Sequence, residues 1–210
     1  METLVSEKPI LFSGEMVRAV LNGRKTQTRR VMAYPDHGVA DCTHSNDKSQ
    51  WWWWNNGLYG EAFKCPYGKP GEQLWVRETW DVCVMQDEYL PSMCYRADST
   101  GIPTSRKKAW DLLRSDDSRL HKWRPSIHMP RWASRIQLEV TDVRVERVQE
   151  ISEEDARAEG VALPERTVTM YDGIYREHFQ RLWNSINEKR GYGWEANPWV
   201  WVVEFKRLQP

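Results

Sequence analysis

The sequence predicts an α+β fold, a mixed β-sheet closing into a barrel, with helices at its periphery and two long insertions. Three observations carry that expectation. Segments 136–148 and 199–205 alternate apolar and polar residues with the period of a strand, and 72–82 is rich in strand-forming Trp, Val and Thr. Segments 14–22, 153–159 and 171–187 read as helices, from apolar residues at helical spacing or a capping Ser at the start. No repeat, low-complexity tract or second core pattern divides the 210 residues, so one domain over 1–210 is expected.

In chain order, residues 8–12 form a short extended lead. Ser13 is a suitable N-cap for helix 14–22, whose apolar face is Met16, Val17, Val20 and Leu21, and Gly23 closes it. Residues 24–32 (RKTQTRRVM) then read as a strand, since Thr and Val favour strands and the charges cannot form a core helix face. The stretch at about 33–71 carries Gly, Pro, Asn and Asp without a sustained period, and reads as an insertion holding one hairpin around Trp51, Trp52, Trp53 and Trp54. Four consecutive rings cannot all face one core, so some of them are exposed or cover a neighbouring surface. Residues 72–82 form one strand with Arg77 and Glu78 on opposite faces, Glu78 pairing with a neighbouring Arg. A second polar insertion covers about 99–125, with a short helix at 109–114. Residues 136–148 are two strands broken by a turn or bulge at Thr141 and Asp142. Ser152 caps helix 153–159, which Gly160 ends. Tyr175, Phe179, Leu182, Trp183 and Ile186 are the apolar face of the helix at about 171–187.

Composition narrows the function classes. With 30 Lys and Arg against 30 Asp and Glu, the chain is neither disordered nor globally basic. The zero total hides two blocks: 105–135 holds nine Lys and Arg against three Asp, a net of +6, and 150–165 holds six acids against Arg157, a net of −5. Blocks of this size are commonly solvated faces, but Trp110, Trp123 and Trp132 within the basic one also suit a surface for RNA or DNA. Of the 13 Trp, the scattered Trp75, Trp80, Trp183, Trp199 and Trp201 are expected in the core. No apolar run is long enough to span a bilayer and no secretion signal is legible, so a cytoplasmic protein without membrane contact is expected. Cys42, Cys65, Cys83 and Cys94 show no CxxC pair and are read as reduced thiols. His37, Cys42, His44 and Cys65 lack the tight paired spacing of a zinc site, so no metal is predicted. Glu159 falls in the last turn of its helix, where the dipole disfavours a carboxylate unless a cation stands near.

The GRKTQTR segment at 23–29, GEQLWVRE at 71–78, SEEDARAEG at 152–160 and the closing strand at 199–205 occur in the order seen in ASCH-domain proteins. The whole chain resembles the Trp-rich ASCH-related proteins of bacteriophages and prophages, with PSIHMP at 125–130 as a further similar block. The resemblance implies a PUA-like β-barrel with a cleft open to nucleotides or RNA, in a bacterial host cell if the gene is phage-borne. Some small bacterial ASCH proteins are amidohydrolases that remove acetate from N4-acetylcytidine, with a Lys and a Thr of a GRKTxT motif and a Glu of the later helix. Those positions match Lys25, Thr28 and Glu159. Amide hydrolysis needs a base, a donor for the developing oxyanion and a proton for the leaving amine. Glu159 would be the general base, Lys25 would stabilise charge or shuttle a proton, and Thr28 would be a hydroxyl donor or the nucleophile. Candidate substrate contacts are Arg30, Arg77, Ser126, His128 and Arg131, the arginines because their forked donors suit phosphate, although Ser126 and His128 equally suit a backbone turn. The partner is then a modified nucleoside or base, with no cofactor. Two alternatives use the same cleft: an RNA- or DNA-binding module without turnover, and a nuclease. The oligomeric state is not legible.

Overall fold

The computed structural model describes residues 6–32, 41–55, 58–84, 91–115, 122–163 and 171–208. Strand β1 (Glu7–Leu11) leads into α1 (Gly14–Leu21) and β2 (Gln27–Val31). The first insertion supplies β3 (Asp41–His44), β4 (Trp51–Asn55) and β5 (Leu58–Tyr59). Then come β6 (Gln73–Arg77), β7 (Trp80–Val84), β8 (Pro91–Tyr95), β9 (Thr100–Pro103) and α2 (Lys107–Ser115). The chain continues through β10 (Gln137–Arg147), α3 (Glu153–Ala158), α4 (Ile174–Asn187) and β11 (Trp199–Leu208). This is the α+β class expected.

The main sheet runs β1-β6-β10-β11-β2, with β1 parallel to β6 and the other neighbours antiparallel. Among the described residues no backbone ladder joins β1 to β2, so the expected barrel is an open mixed sheet. Arg30 in β2 instead donates through its side chain to the Leu11 carbonyl at the end of β1. Helix α1 joins the two strands and buries Val17 and Val20 in the same core as Ile10, Phe12, Leu138, Trp201 and Phe205. Its cap is as expected: the Ser13 hydroxyl accepts from Met16 N, and Gly23 takes a left-handed φ of 71°.

Three elements depart from the sequence reading. The 72–82 segment is not one strand: it breaks at Glu78 and Thr79, leaving the main sheet as β6 and entering a second sheet, β7-β8-β9. Apolar alternation continues across the break, but the Glu78 carboxylate is buried against the Arg135 fork at 2.9 and 3.0 Å, which anchors the crossing point. The second sheet has a core of its own, with Trp80, Val82, Met93 and Tyr95 packed against Ala109 of α2 and against Met129 and Ala133. Finally, Cys83 and Cys94 form a disulfide, not two thiols, because the β7–β8 register (Asp81 opposite Cys94, Cys83 opposite Ser92) sets them diagonally across one hairpin. Among the described residues Cys42 and Cys65 take part in no disulfide.

The Trp run resolves by alternation. Trp51 and Trp53 are 1% and 5% exposed and join the main core, where Trp51 meets Trp201 edge-on and Trp53 stacks on Phe63, while Trp52 is half-buried. The first insertion therefore covers the main sheet. Trp75, Trp80, Trp183 and Trp201 are buried as expected and Trp199 is half-buried. Residues 137–147 are one strand carrying a bulge between Val140 and Asp142. No helix among the described residues is long and apolar enough to cross a membrane.

Candidate active site

The site begins with a chain reversal. After α1, the N–H groups of Arg24 and Lys25 both donate to the Ala19 carbonyl, and Thr26 N donates to Ala158 O across the gap to α3. Lys25 and Glu159 form an antiparallel bridge there. Gly160 makes it possible: its φ is 81°, and a Cβ at this position would lie 2.8 Å from the Lys25 Cβ and 2.9 Å from the Ala19 Cβ. Only glycine combines that conformation with so close an approach.

The side chains follow from this backbone. Helix α3 starts on the Ser152 hydroxyl, which accepts from Asp155 N, and ends with Glu159 as its C-cap. The Lys25 ammonium donates at 2.8 Å both to the Glu159 carbonyl and to Glu159 Oε2. One cation thus serves the negative end of α3 and the carboxylate placed there, which is the partner that position requires. Lys25 is 3% exposed and Glu159 6%. Burial pushes the Lys25 ammonium below its ordinary value, and the charge and hydrogen bond of Glu159 oppose that push.

Arg29 braces the other side. It reaches Glu159 Oε1 at 3.4 Å, Asp155 Oδ2 at 2.8 Å and Glu146 Oε2 at 2.9 Å from a fully buried side chain. Arg144 joins the same network through Asp155, Glu146 and Glu204. Burial acts to raise the Asp155 carboxyl, but Arg29 and Arg144 outweigh it and hold it below the usual carboxylate range. Buried ion networks contribute little net stability once desolvation is counted; what this one supplies is a fixed position for Glu159.

Glu159 and Thr28 open onto a cavity of about 250 Å³, together with Arg29, Arg30 and Val31 of β2, Met16 of α1, Tyr67, and a wall from α4 ending at Arg190. The Thr28 hydroxyl has no hydrogen-bond partner among the described residues. Lys25 is not part of the lining and stands behind Glu159. Of the expected site residues, the fold thus gathers Lys25, Thr28, Glu159 and Arg30. Arg77 donates to the Met129 carbonyl and Arg131 pairs with Glu7, so neither lines this cavity. Ser126 and His128 lie in a single 3-10 turn (Ser126–His128) whose hydrogen bonds are between backbone atoms. His128 instead borders a second, open groove of about 480 Å³ with Trp80, Lys108, Arg124 and Trp132. The basic block is partly neutralised from outside: Arg124 pairs with Asp81, Arg131 with Glu7, and Arg135 with Glu78 and Asp98. His37 and His121 lie outside the described residues.

Tyr67, Asn187 and Arg190 of the cavity wall are not legible in the sequence, since residues 67, 187 and 190 share no local pattern with the motifs. Arg29 carried one signal: a charged residue inside a strand otherwise suited to the core.

No protein-family model and no curated protein matches the chain. Among solved structures, it is similar to a protein of Enterococcus faecalis V583 described under the family DUF984, with a TM-score of 0.40 and 10% identity, covering 99% of this chain and 83% of the other. It is also similar to an ASCH domain from Lactobacillus crispatus JV V101, with a TM-score of 0.40 and 10% identity, covering 96% of this chain and 79% of the other.

Proposed function

We propose that the Glu159 cavity is the active site of an amidohydrolase that removes an acyl group from a modified nucleoside or base of the N4-acetylcytidine kind. The observation that carries this reading is that the buried Glu159, braced by Lys25 at 2.8 Å, shares one cavity with Thr28, whose hydroxyl has no hydrogen-bond partner among the described residues. A base held in place beside an uncommitted donor is what attack on an amide carbonyl requires.

In this reading Glu159 takes a proton from a water whose oxygen bonds to the acyl carbon. The Thr28 hydroxyl donates to the oxyanion that develops. The C–N bond then breaks, the proton held by Glu159 passes to the leaving amine, and the carboxylic acid departs. Lys25 orients Glu159 and keeps it from rotating away; its depressed affinity for its own proton also suits it to relay one. The exocyclic amine of an acylated cytosine is a leaving group of this type.

The test is chromatography of N4-acetylcytidine after incubation with the pure protein, beside Lys25→Ala and Glu159→Gln. Cytidine formed by the parent and by neither folded variant is the expected result. An unchanged substrate peak with the parent contradicts the reading.

A second reading has its own observation. The groove bordered by the half-buried Trp132, with Lys108 at its side, offers an aromatic face and a cation to a single-stranded nucleic acid. Binding there would weaken with salt, at a logarithmic slope of about 0.7 per neutralised phosphate, and would fall in Lys108→Ala. Binding that ignores salt contradicts it.

A further inference from the structure

We infer that the mouth of the Glu159 cavity receives a phosphate group held by Arg30 and Arg190, so that the site takes its modified nucleoside preferentially as the 5′-monophosphate. The inference rests on the proposed function for the chemistry at the cavity floor, but its own support is a charge imbalance in the cavity wall.

The wall contains three guanidiniums, Arg29, Arg30 and Arg190, and among the described residues one carboxylate, Glu159. Arg29 is consumed by Glu146, Asp155 and Glu159, and Glu159 by Lys25 and Arg29. Arg30 and Arg190 have no carboxylate within ion-pair distance among the described residues. Arg30 spends one donor on the Leu11 carbonyl and lies over the Phe12 ring, and its Nε is buried with no hydrogen-bond partner among the described residues. Arg190 makes one long hydrogen bond, 3.3 Å to Asn187 Oδ1. Two forked cations with free donors, beside the Tyr67 hydroxyl, match the several oxygens of a phosphate better than any neutral group.

The same imbalance is visible in Arg30 itself. Burial disfavours its charge, Tyr67 and Glu159 offset part of this, and the charge of Arg190 adds to the strain. An anion between the two guanidiniums attracts both and offsets that repulsion.

Depth fixes the orientation. Glu159 and Thr28 are buried, Arg30 is half-buried and Arg190 is exposed. A ligand that presents its acylated base to Glu159 therefore has its far end at the two arginines. A cavity of about 250 Å³ is small for a ligand site, which leaves the phosphate at the rim and not inside. Met16, Leu182 and Ile186 supply apolar surface between the two ends.

The experiment is calorimetric titration of the protein with cytidine, cytidine 5′-monophosphate and inorganic phosphate, in the parent, Arg30→Gln and Arg190→Gln. Because Arg190 is exposed, its variant folds whatever the role of the residue. The expected result is that the monophosphate binds at least about tenfold more tightly than cytidine, and that each variant brings the ratio near one. Equal binding of the two, no binding of the monophosphate, or a preference that survives Arg190→Gln overturns the inference. Inorganic phosphate binding as tightly as the monophosphate also overturns it, because the base would then contribute nothing. Turnover separates this inference from the one beneath it. A protein that prefers the monophosphate but hydrolyses no acyl amide refutes the amidohydrolase and leaves the phosphate site. One that hydrolyses N4-acetylcytidine as fast as its 5′-monophosphate, with no binding preference, does the reverse.

Discussion

At the scale of single residues, Gly160 decides whether the site exists. Any side chain at this position meets the Lys25 and Ala19 Cβ atoms below 3.0 Å and must also adopt a left-handed backbone. Gly160→Ala is expected to cost about 1–3 kcal/mol of stability and to force Lys25 away from Glu159. Denaturant melts check the first effect; a variant as stable as the parent would show that the close approach is not required. Tyr95 offers a prediction in pH. Its hydroxyl donates to the Ala133 carbonyl at 2.9 Å, and burial pushes its pKa up to about 12. The folded value lies above the unfolded value near 10, so the unfolded chain loses this proton first. Tyr95 therefore contributes stability in full below about pH 10, and that stability is lost as pH rises toward 12. The advantage of the parent over Tyr95→Phe, about 1 kcal/mol at neutral pH, should shrink across that window in urea melts. An advantage that stays constant would contradict the assignment.

At the scale of elements, much was legible and the failures have physical reasons. Ser13, Gly23, Ser152 and Gly160 mark their helix ends as the sequence reading held, because caps are local chemistry. The closing β11 follows from alternation alone, whereas 136–148, read as two strands, contains the single 11-residue β10, because its change of phase is a bulge between Val140 and Asp142. The break between β6 and β7 was not legible, since the crossing is enforced by Arg135, 57 residues from the Glu78 it anchors. The Trp run was legible as an anomaly but not as a core element, because the rings that Trp51 and Trp53 pack against come from elsewhere in the chain. That packing predicts an alternating pattern: Trp51→Ala should cost about 3–5 kcal/mol and the half-buried Trp52 much less. Equal costs at both positions in thermal melts would contradict the register of β4. The hairpin disulfide is equally open to test. Alkylation of the unfolded, unreduced protein followed by mass spectrometry should label Cys42 and Cys65 alone, and all four cysteines after reduction. Four labels before reduction would restore the reduced-thiol expectation.

At the scale of the whole molecule, the two opposed charge blocks prove to be in part internal wiring. In the acidic one, Asp155 and Glu159 face Arg29, and Glu153 caps α4 by accepting from Tyr175 N and Arg176 N at 2.7 and 3.0 Å. In the basic one, Arg124, Arg131 and Arg135 are matched by acids from β7, β1 and the loops after β6 and β8. Outside both blocks, Arg30 and Arg190 have no carboxylate within ion-pair distance among the described residues and converge on a single cavity. Four separate stretches of chain, 16–31, 67, 159 and 179–190, build that cavity, so Thr28, Arg30 and Glu159 were legible in the sequence while Tyr67 and Arg190 were not. The most direct test of the central claim is the kcat/KM for acetate release from N4-acetylcytidine by the parent, Glu159→Gln and Thr28→Val, the last of which leaves the Lys25–Glu159 pair intact. The account predicts a fall of about 10²–10⁴ for Glu159→Gln and a clear fall for Thr28→Val, with cooperative melting retained. Release at the parental rate by a folded Glu159→Gln would contradict it.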